Sequence, residues 1–220
     1  PEGLGLSVIC EREDSRDAFV SNRFSSLEDL PPGSHVGTSS LRRQTQLLER
    51  FPQHTVGSLR GNVQTRLSKL DAGEFDAIVL AVAGIKRLGL DVPYSPIDPV
   101  IMPSAVGQGA LAVQIASPIN ERTRSVSAAF AEMNCPIANA EVTAERAVLA
   151  HLDGSCHTPI AASAKYSDDG MISLDAMILR PDGEVAYRRQ IVGTADDAAN
   201  IGVELGASLL TDAGGREFLA

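Results

Sequence analysis

The 220-residue chain predicts an α/β fold, on three observations. Short β-branched runs alternate with amphipathic helical stretches from His35 to Leu90. The run DAIVLAVAG at 76–84 is apolar throughout after Asp76, as a strand covered on both faces requires. The last 50 residues read as two strands, a turn and a helix, a different rhythm that marks a second, α+β unit.

Taken in order, Gly5 to Glu11 reads as a strand. EREDSRDAF follows as a charged crossing between domains, and SSLEDLPPGS as a short Ser-capped helix stopped by Pro31 and Pro32. His35–Gly37 is a strand and Leu41–Arg50 a helix, then Thr55–Ser58 a strand and Asn62–Asp71 a helix ended by Gly73. After the 76–84 strand, IKRLGL is helical. Strand and helix in this alternation imply a parallel sheet covered by helices. The stretch DVPYSPIDPVIMPSAVGQGA, with its four prolines, is a crossing loop. GALAVQIA is a strand, Glu121–Glu132 a helix, Asn139–Leu152 a helix and DGSCHTP a loop. MISLDAMILR and GEVAYRRQIVG pair antiparallel across Pro181-Asp182-Gly183, and Asp196–Asp212 closes the chain as a helix. The expected domains are 15–104, 134–220, and a third assembled from 1–14 and 105–130. The opening PEGLGLSVIC has no Met and runs straight into a strand, which suggests that upstream chain belongs with that third domain.

Composition narrows the function. A net charge of −9 argues against nucleic acid, and no apolar run is long enough to cross a bilayer. Three separated cysteines without C-x-x-C spacing argue against a disulfide scaffold and fit the cytoplasm. A metal site built from Cys135, His151, Cys156 and His157 matches no common zinc spacing, so no metal is expected. The charge is uneven, however. Between Arg42 and Arg87 eight basic residues face four acidic ones, a local +4 within an acidic protein. Arg42 and Arg43 fall in the first turn of a helix after a strand; Arg60 lies in the next strand-to-helix loop and Arg66 one turn further on. In a parallel sheet such loops share the carboxyl edge, where helix N-termini offer N–H groups and small residues let a ligand approach. Arg pairs bidentately with carboxylates, so the constellation suits a polycarboxylate. Taken singly, each arginine is better read as a surface residue or the partner of an acid; four on two successive turns reverse that preference. Arg87 follows the third strand by a longer gap and is weaker. Cys156, with Gly154 and Ser155 beside it, has room for a reactive or modified thiol, although an inert loop cysteine is the simpler reading. Cys10 and Cys135 read as structural.

Several long motifs then agree. GTSSLRRQ at 37–44, SLRGNVQTRLSKLDAGEFDAIVLAVAGIKRLGL at 58–90, AVGQGAL at 105–111, EVTAERA at 141–147 and GSCHTPI at 154–160 closely resemble the hydroxymethylbilane synthase (porphobilinogen deaminase) family, across essentially the whole chain and in order. The resemblance implies two lobes like those of periplasmic binding proteins, the first incomplete here, plus a small α+β C-terminal domain. It implies a monomeric cytoplasmic transferase of haem and porphyrin biosynthesis that condenses four porphobilinogen molecules, expelling ammonia each time, into a linear tetrapyrrole. No membrane or nucleic-acid partner is implied. Cys156 would hold the dipyrromethane cofactor as a thioether. Arg42, Arg43, Arg60, Arg66 and Arg87 would bind acetate and propionate side chains of cofactor and substrate, with Thr38, Ser40 and Asn62 as lesser candidates. The family's catalytic Asp lies in a His-Ser-x-Lys-Asp motif that is absent from these residues, so the catalytic group is expected upstream of Pro1 and this stretch alone is expected to be inactive. Gln114 stands where the family usually carries Glu. A non-catalytic anion-binding protein of the same fold, or a degenerate paralogue, remains the rival.

Overall fold

The computed structural model describes residues 3–117, 120–155 and 157–219. In chain order its elements are β1 (Leu4–Ile9), β2 (Asp17–Val20), β3 (His35–Thr38), α1 (Leu41–Arg50), β4 (Thr55–Ser58), α2 (Val63–Asp71), β5 (Ala77–Ala81) and α3 (Val82–Arg87). There follow β6 (Ser95–Pro96), β7 (Ala112–Ala116), α4 (Glu121–Phe130), α5 (Pro136–His151), β8 (Ile160–Tyr166), β9 (Met171–Leu179), β10 (Ala186–Thr194) and α6 (Ala198–Asp212). The architecture is mixed α/β with a C-terminal α+β unit.

The central sheet has the order β4-β3-β5-β2-β6. Strand alternation explains why β5 is apolar at every position. Ala77 and Val79 face one core with Phe19, Val36, Leu47 and Phe51; Ile78 and Leu80 face the other with Ala18, Leu59, Leu70 and Ile85. Three expectations are corrected here. The sheet is parallel only across β4, β3 and β5, because β2 runs antiparallel to both β5 and β6. The charged stretch EREDSRDAF is therefore not wholly a crossing: its last residues open the buried strand β2. The helix expected in SSLEDL is a turn, since Leu27 and Leu30 are both buried and Leu30 N closes back on Leu27 O, leaving no room for a helical turn before Pro31. The proline-rich stretch 91–110 also contributes the two-residue strand β6.

The C-terminal sheet is antiparallel, in the order β10-β9-β8. Ile172, Leu174, Ala176 and Ile178 of β9 pack against Val148 of α5 and Leu205 and Leu209 of α6. A Cβ on Gly202 would lie 2.3 Å from Ala144 O, so glycine is what lets α6 seat so closely on α5. The opposite face of β9 turns to the central unit: Gln46 of α1 donates to Pro103 O (3.2 Å) and reaches Met177 Sδ (4.0 Å). The β1 and β7 strands form a separate antiparallel pair. No residue of α4, which packs beside them, is buried, and Leu4, Leu6, Val126 and Phe130 are exposed.

Two segments join the units, and they run side by side. Cys10 N donates to Leu111 O (2.9 Å) and Glu13 N to Gly109 O (3.0 Å). Gly109 has φ +85°, and a Cβ there would lie 2.4 Å from Glu13 O. Arg12, within the first segment, is locked to the C-terminal unit. It donates to Glu145 Oε1 (2.7 Å) and Oε2 (3.0 Å), to Glu141 Oε2 (3.3 Å) and to Gln108 O (3.0 Å). Glu145 is fully buried and also accepts from Gly107 N (2.7 Å) and Ala164 N (2.8 Å). Burial pushes the Glu145 carboxyl up, while Arg12 and the two amides pull it down. Arg12 is held above its ordinary value, against its own burial, by Glu145 and Glu141. These directions oppose each other, and the four hydrogen bonds on Glu145 decide for the ionic pair. No helix is long and apolar enough to cross a membrane.

Candidate functional site

The carboxyl end of β3 sets the site. Thr38 is buried, and its Oγ1 accepts from Ser40 N (3.2 Å), which turns the chain out of the strand. Ser39 Oγ donates to Leu59 O, tying this turn to the next one. Ser40 caps α1, its side chain accepting from Arg43 N (3.5 Å). The first turn of α1 then points Arg42 and Arg43 inward, and both are buried.

They converge on Asp17 at the start of β2, which is 0% exposed. Arg42 Nη2 donates to Oδ2 (2.8 Å), and Arg43 Nε to Oδ1 (3.0 Å). Arg42 Nη1 also donates to Gln46 Oε1 (3.0 Å) and Pro103 O (2.7 Å); Arg43 Nη1 donates to Val79 O (3.2 Å) and Nη2 to Gln108 Oε1 (3.4 Å). Burial pushes the Asp17 carboxyl up, but Arg42 and Arg43, aided by Gln108, outweigh it and hold it below the ordinary carboxylate range. Burial, with Arg43 adding to it, lowers Arg42 against the pull of Asp17. One carboxylate thus serves two guanidiniums, and Arg42 Nε, buried, has no hydrogen-bond partner among the described residues. An unpaired buried donor of this kind costs about 1–3 kcal/mol.

Arg42 lines a cavity of about 230 Å³ with Ser40, Ala105, Val106, Leu149, Ser155, Thr158 and Ile160. The cavity therefore has the capped end of α1 on one wall and the 154–158 loop on another. Ser155 N donates to Thr158 Oγ1 (3.0 Å) and His157 N to Ser155 Oγ (3.1 Å), which shapes that loop. Cys156 lies outside the described residues. Of its neighbours in the motif, Ser155 and Thr158 line the cavity.

The remaining candidates are spread outward. Arg66 is half-buried; its Nε donates to Gly61 O (2.8 Å), and burial followed by the charge of Arg43 lowers its pKa. Asn62 caps α2, accepting from Thr65 N (2.8 Å). Its oxygen is thus spent on the helix end. Arg60 is exposed in the loop after β4. Arg87 is exposed and donates to Gly109 O (2.6 Å), so it steadies the returning segment. The structure brings Arg42, Arg43 and Ser40 together, keeps Arg66 half-buried on α2 and leaves Arg60 and Arg87 exposed. It also adds residues that were not anticipated, Asp17, Gln46 and Gln108. Gln108 sits inside the AVGQGAL motif, and that was the available signal; Asp17 is hidden in a run of charges.

Comparison with known proteins follows this division. Residues 1–124 match the family model for the porphobilinogen deaminase dipyrromethane cofactor binding domain, and residues 139–211 match that for the porphobilinogen deaminase C-terminal domain. The five arginines fall in the first match and Cys156 in the second. Among solved structures, a putative L-cystine ABC transporter protein of Listeria monocytogenes is 12% identical, with a TM-score of 0.35 over 57% of this chain and 56% of that one. A probable amino-acid ABC transporter extracellular-binding protein of Bacillus subtilis is 14% identical, with a TM-score of 0.34 over 58% and 55%. A periplasmic binding protein of Salmonella typhimurium with high arginine specificity is 13% identical, with a TM-score of 0.35 over 58% and 56%. The chain spans little more than half the length of each.

Proposed function

The chain belongs to the porphobilinogen deaminase family, and on that premise we propose that it is the greater part of a hydroxymethylbilane synthase, which condenses four porphobilinogen molecules into a linear tetrapyrrole on a dipyrromethane primer joined to Cys156. The observation that supports this best is a cavity lined both by Arg42, one of a charge-surplus buried pair, and by Ser155 and Thr158 of the cysteine loop. A primer tethered at Cys156 and bearing carboxylates suits that arrangement. The hydroxyls of Ser40, Ser155 and Thr158 are the donors it would meet, beside the charge of Arg42.

When bound, the dipyrromethane supplies the nucleophilic pyrrole carbon to which each new unit is joined. The protein's own part is binding and orientation. Arg42 and Arg43 fix one carboxylate at the inner end; half-buried Arg66 and the exposed Arg60 and Arg87 take carboxylates of units added further out. Guanidiniums fixed by buried partners stabilise charge without reorganising, which is how a site of this type lowers a barrier. The division into 1–14 with 105–130, 15–104 and 134–220 belongs to this reading, as does action as a cytoplasmic monomer. So does the placing of the acid that protonates the departing amine outside residues 1–220, which predicts that this stretch alone does not consume porphobilinogen.

Denaturing intact mass spectrometry tests the proposal. Mass for two linked pyrroles mapped to Cys156 is the expected result, with Cys156→Ser folded but without the adduct. A Cys156→Ser variant that still carries the chromophore overturns it.

A further inference from the structure

The buried arginine pair is unusual in its charge balance. Arg42 and Arg43 are 4% and 8% exposed, Asp17 is 0% exposed, and among the described residues Asp17 is the one acid paired with either of them. The cluster therefore carries a single surplus positive charge in a place water hardly reaches, where an uncompensated charge is costly.

We propose that Asp17 is the specificity-determining residue of this site: by occupying one side of both guanidiniums it leaves one net positive charge, and so selects a singly charged carboxylate group over a doubly charged anion. The identity of the natural ligand rests on the functional reading above; the charge arithmetic does not.

The carboxylate is built not to move. The backbone of Asp17 is paired in the sheet opposite Ala81, and its carbonyl accepts from Ile97 N (2.8 Å). Gln108 Nε2 donates to Asp17 Oδ1 (2.9 Å) and to Ser15 O (2.6 Å), while Gln108 Oε1 faces Arg43 Nη2 (3.4 Å). Gln108 is thus a positioning residue whose amide is oriented by an anion on one side and a cation on the other. An incoming anion meets Asp17 held in this frame and has what Asp17 leaves, namely the surplus charge of the pair at the wall that Arg42 lines and the cavity hydroxyls. A monocarboxylate neutralises the surplus. A dianion overshoots it and buries a negative charge of its own.

The test uses this chain as prepared, with thermal midpoints followed against propionate and against sulfate at matched ionic strength. The parent is expected to gain more from propionate. Asp17→Asn keeps the shape and one acceptor but removes the charge. Its midpoint without added anion should fall by roughly 10 °C, and it should gain more from sulfate, inverting the order. Asp17→Glu should retain the parent order. An Asp17→Asn protein with the parent order overturns the proposal. If that variant folds only with help, refolding rescued by sulfate and not by propionate is the same inversion, and rescue by neither overturns it. The readout needs no turnover. Inversion in a protein with no adduct at Cys156 would remove the functional reading and keep the role of Asp17, and an adduct without inversion would do the reverse.

Discussion

Two ion clusters of inverted composition lie at either side of the 105–110 loop. In one, Asp17 sits between Arg42 and Arg43; in the other, Arg12 sits between Glu141 and Glu145. The loop touches both, through Gly107 N to Glu145 and the Gln108 side chain to Asp17. Their surplus charges are opposite, and so is their state of completion. Every carboxylate oxygen of the acidic cluster is used: both Glu145 oxygens by Arg12 and a backbone amide, one Glu141 oxygen by Arg12 and the other by Tyr166 N (3.0 Å). The basic cluster keeps an unused donor and borders a cavity. A buried charge surplus whose hydrogen bonds are all taken by the protein makes a joint. The same surplus beside a cavity is what the proposed anion site would use.

The largest expected effect falls on the joint. Glu145→Ala leaves Arg12 with Glu141 alone and strands the amides of Gly107 and Ala164, so urea unfolding should show a loss of about 3–5 kcal/mol. A loss under about 1 kcal/mol would erase the distinction drawn between the clusters. A smaller effect separates the clusters by pH. Because the Asp17 pKa is lowered in the folded protein, its contribution is complete above the ordinary Asp value of about 3.9 and is lost as pH falls through the lower folded value. Stability followed downward from pH 5 should therefore fall below about pH 4, and Asp17→Asn should flatten that part of the curve. An unchanged acid limb in the variant would assign the acid sensitivity elsewhere. The smallest effect concerns the helix that presents the arginines. Ser40→Ala removes the cap of α1 and should cost about 1 kcal/mol in the same urea assay. A cost near that of Glu145→Ala would mean that Ser40 holds more than a helix end.

The same contrast explains what was legible in the sequence. The arginines were, because strand-to-helix rhythm places residues at a sheet edge without any knowledge of tertiary partners. Ser40 and Asn62, lesser ligand candidates by resemblance, prove instead to cap α1 and α2. Asp17 was not. It closes a run of charged residues that looks solvated, and its partners are 25 and 26 positions away. Its burial follows from β2 running antiparallel beside β5, a pairing that alternation of strands and helices does not anticipate. Glu145 was equally hidden, since a glutamate on a helix reads as surface until an arginine 133 residues distant is brought against it. The SSLEDL turn misled for the converse reason: its residues favour a helix locally, and burial of both leucines overrode them.

The side-by-side course of the two connecting segments has a consequence for how such a protein can change over generations. The chain leaves at Cys10 and returns at Leu111, and those two residues are hydrogen-bonded neighbours. Everything between them, the whole five-stranded sheet with its arginines, is an insert whose ends meet. A cassette of that kind can be lengthened, exchanged or duplicated without rethreading its host, because the host sees only two adjacent stubs. The anion site is in this sense portable, and the cysteine loop, carried by the host, is the part that must stay where it is.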